Sequence, residues 1–115
     1  METNGYSTQS RTFLTQAKDE LAQGDSVQAS EKLWGAAAQI VKAVAARRGW
    51  PHRSHRDLYV AVDRCVAETG DDELFRLFQV ASAQHMNFYE NLQPLNMVRS
   101  AVPELELFVE KLERL

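Results

Sequence analysis

Apolar side chains recur along this chain at spacings of three, four and seven residues, the period of an amphipathic α-helix. The longest such segment lies between Asp25 and Gly49, and its apolar positions are Val27, Leu33, Ala37, Ile40, Val41, Val44 and Ala45. Asp25 is a suitable N-cap residue, with Gln28 three positions later, and Gly49 followed by Pro51 is a typical helix end. We therefore predict a long core helix between Asp25 and Gly49.

A shorter helix is predicted before this segment. Residues 1–6 are predicted to be a frayed tail, and Ser7 or Thr8 to cap a helix that ends at Gly24. The inward positions of this helix are Phe13, Leu14, Ala17 and Leu21. Because Asp25 follows Gly24 directly, the first two helices are expected to fold back against each other in antiparallel fashion.

Three further helices are predicted after residue 53. The third begins at Ser54 or His55 and ends at Gly70, and the fourth is capped by Asp71. The fifth runs from about Met97 to Arg114, after a break at Pro94 and Asn96, and is predicted to be kinked or split at Pro103. The inward positions are Leu58, Ala61, Val62, Cys65 and Val66 in the third helix, Leu74, Phe78, Ala81, His85, Phe88 and Leu92 in the fourth, and Val98, Val102, Leu105, Phe108, Val109 and Leu112 in the fifth.

The whole pattern predicts one all-α domain over residues 1–115. No segment alternates with a period of two residues, so no strand is predicted, and 115 residues suffice for one modest core. The expected architecture is an up-and-down four-helix bundle with a kinked or short fifth helix.

Composition bounds the class of protein. An apolar fraction of 44% with 25% charged residues is typical of a globular domain, and no apolar run reaches the roughly 18 residues that a membrane span needs. The N-terminus has no secretory signal pattern. Cys65 is the sole cysteine, which excludes an internal disulfide, and we expect it to be a small core residue of a cytoplasmic protein.

Positive charge is concentrated in one segment, residues 47–56. It holds four of the thirteen Lys and Arg side chains and none of the sixteen acids, which leaves nine basic against sixteen acidic side chains elsewhere. Arginine binds phosphate with paired N–H donors, histidine moves a proton near neutral pH, and tryptophan stacks on bases. The candidate phosphate-binding residues are Arg47, Arg48, Trp50, His52, Arg53, His55 and Arg56. The alternative is a solvated turn in which Trp50 packs over the end of the bundle.

The other polar residues give weaker indications of a functional site. His52 and His55 are three positions apart but have no evident third ligand, so neither a metal site nor a cofactor is expected. His85 is predicted to be buried and hydrogen-bonded, for instance to Glu31 or Tyr59. Glu31 and Lys32 flank Leu33 and belong either to a buried polar network or to a solvated pair. The chain has no Gly-rich phosphate loop and no nucleophile–histidine constellation, which excludes classical hydrolases and kinases.

Three stretches of the chain resemble a known superfamily. The runs GDSVQASEKLWGAAAQIVKAVAARRGWPHRSH, QVASAQHMNFYENL and ELFVEKL, within residues 10–113, resemble small helical proteins of the HEPN superfamily and most of all its PaREP-type branch. The resemblance implies a helical bundle, frequent dimerisation and work on nucleotides or RNA. The RNase members of the superfamily use an arginine followed four to six residues later by a histidine, and they act on RNA without a metal.

Similar arginine–histidine spacings occur twice in the basic segment. Four residues separate Arg47 from His52, and six separate Arg48 from His55. In the active families the motif lies near the start of the later helix, where this chain has Arg76 and His85 with eight residues between them. We therefore favour a binding or accessory module, rather than an enzyme, that holds nucleotide or RNA phosphate at residues 47–56.

The oligomeric state and two alternative functions complete the prediction. A homodimer is expected from the resemblance and because a chain this short buries little surface by itself. One alternative function is a metal-independent RNase with an Arg/His pair as its catalytic groups. The other is a structural partner of a nucleotidyltransferase-like or other neighbouring-gene product.

Overall fold

The structure, a computed structural model, describes residues 3–115, and these residues form five α-helices without a β-strand. The helices are α1 (Thr3–Ala22), α2 (Ser26–Arg48), α3 (His55–Thr69), α4 (Glu73–Glu90) and α5 (Leu95–Glu113). The predicted all-α class is confirmed. Of these five helices, none combines the length and apolar character needed to cross a membrane.

Helix α2 lies at the centre and contacts each of the other four helices. The Asp25 side chain accepts a 3.0 Å hydrogen bond from the Gln28 N–H, and Gly49 ends the helix in the left-handed conformation at φ 72°. Glycine adopts this conformation without the steric cost that a Cβ adds. The predicted core helix is confirmed, and its completely buried apolar residues include Leu33, Ala37, Ile40, Val41, Val44 and Ala45.

Helices α1 and α2 approach closely because α2 has small residues, Gly35 and Ala36, where it meets α1. The buried Ser10 hydroxyl donates a 2.7 Å hydrogen bond to the Ala36 carbonyl. A Cβ added at Gly35 would lie only 2.8 Å from Cδ2 of Phe13, so the Phe13 ring occupies the space that a larger residue at position 35 would need. From Ser10 to Phe13 the α2 partner moves back from Ala36 to Gly35, which is the antiparallel arrangement predicted from the short junction.

Helix α1 begins earlier than predicted. Its first residue is Thr3, so neither Ser7 nor Thr8 is the cap, and residues 3–6 are helical rather than a frayed tail. Tyr6 packs against the core and meets the His52 ring edge-on at 5.8 Å, which holds the first turn in place. The remainder of the predicted tail, Met1 and Glu2, lies outside the described residues.

Helix α4 begins one residue later than predicted, with Asp72 rather than Asp71 at the N-cap position. The Asp71 carboxylate accepts a 3.2 Å hydrogen bond from the Glu73 N–H and a 2.7 Å hydrogen bond from the Lys111 ammonium. The bond from Lys111 lowers the pKa of the Asp71 carboxyl and raises that of the lysine. Asp71 therefore ties the start of α4 to the last turn of α5.

Helix α5 is longer and less interrupted than predicted. It follows Pro94 at the N-cap position, so Asn96 lies within its first turn instead of breaking the chain. The helix continues through Pro103 and is not split there, because Pro103 lies on the exposed face while the opposite face is anchored in the core. The predicted inward residues of α5 are all buried: Val98, Val102, Leu105, Phe108, Val109 and Leu112.

The shortest helix of the fold is α3, not the fifth helix, which the sequence predicts to be kinked or short. Helix α3 has 15 residues and contacts only α2 and α4, but α5 has 19 residues and contacts α1, α2 and α4. The predicted start of α3 is confirmed, since Ser54 is its N-cap.

Cys65 is completely buried as predicted, and burial raises the pKa of its thiol to about 11.

The inward face of α4 changes along the helix. Leu74, Phe78 and Ala81 are buried as predicted, but the later predicted positions are not: His85 and Phe88 are half-buried, and Leu92 is 72% exposed beyond the helix end. Gln84 and Asn87 take their place as buried residues. The reason is polar pairing, because both amides bond to a hydroxyl on α2, as described next.

A buried polar network joins α2 to the end of α4. The Ser30 hydroxyl donates to Gln84 Oε1 at 2.9 Å and accepts from Asn87 Nδ2 at 2.8 Å. Asn87 Oδ1 in turn accepts the N–H groups of Leu92 and Gln93, each at 2.8 Å. The residues of this network are not the ones that the sequence predicts to be buried and polar.

The residues predicted to be the buried polar ones were Glu31, Lys32 and His85, and each of them is half-buried. Ser30 lies one position before Glu31, about 100° around the helix, and it is Ser30 that faces α4. Lys32 points instead towards α1, with its ammonium 5.7 Å from the centre of the Phe13 ring.

Candidate functional site

The basic segment 47–56 is divided between two helices and the connection between them. Arg47 and Arg48 belong to the last turn of α2, while His55 and Arg56 are the first two residues of α3. Only residues 49–54 are non-helical. Since neighbouring residues on a helix point about 100° apart, the predicted site residues face several directions.

Arg48 is held by structural contacts. Its guanidinium donates to Glu68 of α3 at 2.8 and 2.5 Å and to the Leu115 carbonyl at 3.2 Å. The paired hydrogen bonds raise the pKa of Arg48 and lower that of Glu68. The same guanidinium lies 5.7 Å from the centre of the Trp50 ring. Arg48 therefore joins α2 to α3 and supports Trp50.

The two histidines of the segment contact different parts of the fold. His52 packs against Tyr6 of α1, and its Nδ1 lies 2.9 Å from the Trp50 carbonyl oxygen. His55 packs against Trp34 and His85 instead, at ring-centre distances of 5.6 and 4.9 Å. The two histidines of the Arg–His spacings therefore lie in separate clusters.

A pocket of about 180 Å³ lies beside Trp50, and we call it the Trp50 pocket. Its lining residues are Trp50, Pro51, Ser54, Arg56, Asp57, Val60, Ala61 and Arg64. The Arg64 guanidinium lies 5.4 Å from the centre of the Trp50 ring. Within residues 3–115, neither Arg56 nor Arg64 forms an ion pair. The pocket thus offers two arginines and an aromatic ring to a ligand.

The acid in the wall of this pocket is occupied by backbone groups. Asp57 Oδ2 accepts the N–H groups of Ser54 at 3.2 Å and Arg53 at 3.0 Å, while the Ser54 hydroxyl accepts the Asp57 N–H at 3.0 Å. These bonds form a capping box at the start of α3. The Ser54 and Arg53 N–H groups lower the pKa of the Asp57 carboxyl.

Arg64 was missed when the site was predicted from charge density alone. It lies outside segment 47–56, yet Arg56, Val60 and Arg64 are spaced four residues apart and therefore share one face of α3. That helical spacing was the available signal. Of the predicted residues, the pocket brings together only Trp50 and Arg56, while Arg47 and Arg53 lie exposed outside its lining.

A second cluster lies where α3 meets α4 and α2. The His85 ring stacks on Trp34 with 4.7 Å between ring centres, and His55 meets both rings edge-on. Burial lowers the pKa of His85, and the neighbouring His55 adds to the effect. Among the described residues, the predicted hydrogen bond from His85 to Glu31 or Tyr59 is not formed, since the ring is packed against aromatic groups instead.

Beside this cluster runs an open groove of about 690 Å³, which we call the α3–α4 groove. It is lined by Tyr59, Gln79, Ser82, Ala83, His85, Met86, Tyr89 and Glu90. Tyr89 is 71% exposed and Tyr59 is 49% exposed, and the Tyr59 hydroxyl lies 2.8 Å from the Ser82 hydroxyl. Across residues 3–115, no three His, Cys, Asp or Glu side chains are grouped so that they could hold a metal ion.

The lowered pKa of His85 predicts a pH-dependent stability. The unfolded chain has an ordinary histidine pKa near 6.5, so below that pH it binds more protons at this position than the folded chain does. We expect the urea midpoint to fall as the pH is lowered from about 7.5 to about 5.5, and to fall less in His85→Gln. His52→Gln is the control and should keep the wild-type fall. Equal falls in His85→Gln and wild type would contradict the prediction.

One comparison with known proteins identifies a relationship. The sequence model of the archaeal PaREP1/PaREP8 family matches residues 6–109, which include all of α2, α3 and α4 and most of α1 and α5. No curated protein and no solved structure matches the chain. The matched range contains both the Trp50 pocket and the α3–α4 groove.

Proposed function

The chain belongs to the archaeal PaREP1/PaREP8 family, and we propose that it is a binding module that holds the phosphate of a nucleotide or of RNA in the Trp50 pocket. The proposal rests on one observation: Arg56 and Arg64 line the same pocket beside the Trp50 ring. Guanidinium groups keep their charge at any physiological pH, and they present paired donors that match phosphate oxygens.

The size of the Trp50 pocket favours a small anionic group. Its volume of about 180 Å³ is below the roughly 300–1,000 Å³ of pockets that enclose a whole drug-sized molecule. A phosphate fits such a space, while an attached base remains outside. Contact between Arg64 and the Trp50 ring restrains the guanidinium before the ligand arrives, which reduces the entropy lost on binding.

A HEPN-like bundle and a homodimer are part of the same proposal. The five-helix, all-α architecture supports the first. The second is supported by the small size of the chain and by exposed apolar side chains on and beside α4 and α5, namely Phe75, Leu92, Met97 and Leu107. The solution mass, measured by light scattering with the binding experiments below, tests it, and the mass of a single chain would contradict it.

The contacts favour binding over the RNase alternative. Arg48 is bonded to Glu68, and its predicted partner His55 packs against His85. His52, the predicted partner of Arg47, faces Tyr6. A structural partner of a neighbouring-gene product stays a separate prediction, under which changes to the pocket arginines leave complex formation unaltered.

The pocket proposal predicts that Arg56→Gln/Arg64→Gln weakens nucleotide binding by at least about tenfold. Each charged hydrogen bond contributes roughly 1.5–3 kcal/mol, and about 1.4 kcal/mol corresponds to tenfold in affinity. AMP and ATP are titrated into wild type and variant at low salt, where charge-driven binding is strongest, with calorimetry as the measurement.

The matched control is Arg99→Gln/Arg114→Gln, which removes the same charge from the α5 region. It should bind AMP and ATP as wild type does. The proposal is wrong if wild type binds neither nucleotide at low salt, or if the two double variants lose affinity equally.

A further inference from the structure

The Trp50 pocket and the α3–α4 groove lie on two flanks of the same helix. Arg56, Val60 and Arg64 line the pocket, whereas Tyr59 lines the groove. Tyr59 and Val60 are adjacent residues and so point about 100° apart around α3. A ligand that occupies both sites therefore has to cross α3, which contacts only α2 and α4.

The two flanks differ in charge. The pocket has two arginines and one acid, Asp57, so its lining carries net positive charge. The groove has no Lys or Arg in its lining and one acid, Glu90, so its lining carries net negative charge. Phosphate groups are thus favoured on the pocket side and disfavoured on the groove side. Arg53, exposed in the connection just before α3, adds positive charge near the start of this helix. A ligand matching this arrangement has anionic groups on one side and neutral groups on the other.

The groove has the side chains that bind nucleobases. Its exposed rings are those of Tyr59 and Tyr89, and the half-buried His85 ring in the same lining lies 5.4 Å from the Tyr89 ring, centre to centre. Gln79 adds an exposed amide to the lining that can hydrogen-bond to a base. Aromatic rings bind bases of any sequence by stacking, since every base has a π face. The volume of about 690 Å³ lies within the range of ligand-sized sites.

We propose that the ligand is a single-stranded polynucleotide that crosses α3. A phosphate binds Arg56 and Arg64 in the Trp50 pocket, and bases further along the strand stack on Tyr59 and Tyr89 in the α3–α4 groove. A helix with its side chains is about 10 Å wide, so one nucleotide does not reach both sites. A duplex does not suit the groove, because its bases are stacked on one another and are not free to stack on Tyr59 and Tyr89. This inference rests on the proposed function and specifies its ligand.

The test compares a strand with a mononucleotide, using the full chain. Fluorescein-labelled U8 and dT8 are titrated by fluorescence anisotropy at low salt, and AMP by calorimetry. We expect one or both octamers to bind at least about tenfold more tightly than AMP. A preference for U8 identifies RNA as the ligand, through its 2′-hydroxyl groups, and a preference for dT8 identifies DNA.

The decisive variant is Tyr59→Leu/Tyr89→Leu, which keeps apolar bulk but removes both rings. It should weaken octamer binding by about tenfold or more and leave AMP binding unchanged. Both side chains are exposed, so we expect the fold to be retained, and the melting temperature tests this. Tyr89→Leu alone is the milder version. Phe75→Leu, at an exposed aromatic of α4 outside the groove, is the matched control and should bind as wild type does.

The outcomes separate this inference from the pocket proposal. If the octamers bind no better than AMP, or if Tyr59→Leu/Tyr89→Leu binds them as wild type does, the strand inference is overturned. The pocket proposal survives that result when Arg56→Gln/Arg64→Gln still loses AMP. If the tyrosine variant turns a dimer into a monomer, a second copy of the chain occupies the groove, and this also overturns the strand inference.

Discussion

Asn87→Ala is expected to lower the free energy of unfolding by about 3 kcal/mol. The Asn87 side chain is only 2% exposed and has three hydrogen-bond partners, the Ser30 hydroxyl and the N–H groups of Leu92 and Gln93. A buried polar group left without its partner costs roughly 1–3 kcal/mol, so losing all three bonds gives a total of this size. Urea unfolding followed by circular dichroism measures the change.

Asn96→Ala is the matched control for this prediction. Asn96 lies exposed in the first turn of α5, and its substitution should change stability by no more than about 0.5 kcal/mol. Ser30→Ala/Asn87→Ala should cost less than the sum of the two single variants, because the residues bond to each other. A loss below about 1 kcal/mol in Asn87→Ala, or strict additivity with Ser30→Ala, would contradict the role given to this network.

Trp34→Ala is expected to cost about 4 kcal/mol, in the range measured for large aromatic side chains removed from cores. Trp34 is 8% exposed, and its ring lies 4.7 Å from His85 and 5.7 Å from Phe78, centre to centre. Its loss opens a cavity where α2, α3 and α4 meet. The free energy of unfolding in urea again provides the measurement.

The other tryptophan offers the control. Trp50 is only half-buried, at the margin of the core, so Trp50→Ala should cost at least about 2 kcal/mol less than Trp34→Ala. Trp34→Phe preserves more of the fold and allows a second measurement. Because burial lowers the pKa of His85, an NMR titration of Trp34→Phe should show that pKa closer to its ordinary value. Equal stability losses at the two tryptophans would refute the prediction.

Helix α3 links the fold to the proposed function. It contacts only α2 and α4, so much of its surface is left open, and both the Trp50 pocket and the α3–α4 groove adjoin it. Four buried residues fix α3 to the core, and bonds near its two ends add to this. Ser54 caps its start, and Glu68 near its end is bonded to Arg48 of α2. Helix α3 can therefore keep its buried face in the core while its two other flanks contact a ligand.

Much of the fold was predictable because helix formation depends on neighbouring residues. The caps at Asp25 and Ser54 and the left-handed glycines at positions 49 and 70 occur where the sequence places them. The errors have tertiary causes. Tyr6 extends α1 by its contact with His52, and Asn87 replaces Leu92 as a buried residue because Ser30 offers it a partner.

The candidate site was predictable only in part. Charge density pointed to residues 47–56, and two of those residues, Trp50 and Arg56, line the Trp50 pocket. Arg64 joins them through helical spacing, which local charge density does not reveal. The His55 side chain lies outside the pocket and packs instead against His85, which is 30 positions later in the chain. No spacing rule for a single helix predicts that contact.

The sequence by itself determined five helices, most of their ends and most of their buried faces, since the spacing of apolar residues and the capping groups act within a few residues of each other. Only the tertiary structure decided that α3 is the peripheral helix, that Ser30 pairs with Gln84 and Asn87, and that the side chains of the basic segment face several directions. These outcomes depend on the direction in which each helix turns its side chains once it packs against the others, which is a property of the assembled core and not of any one segment.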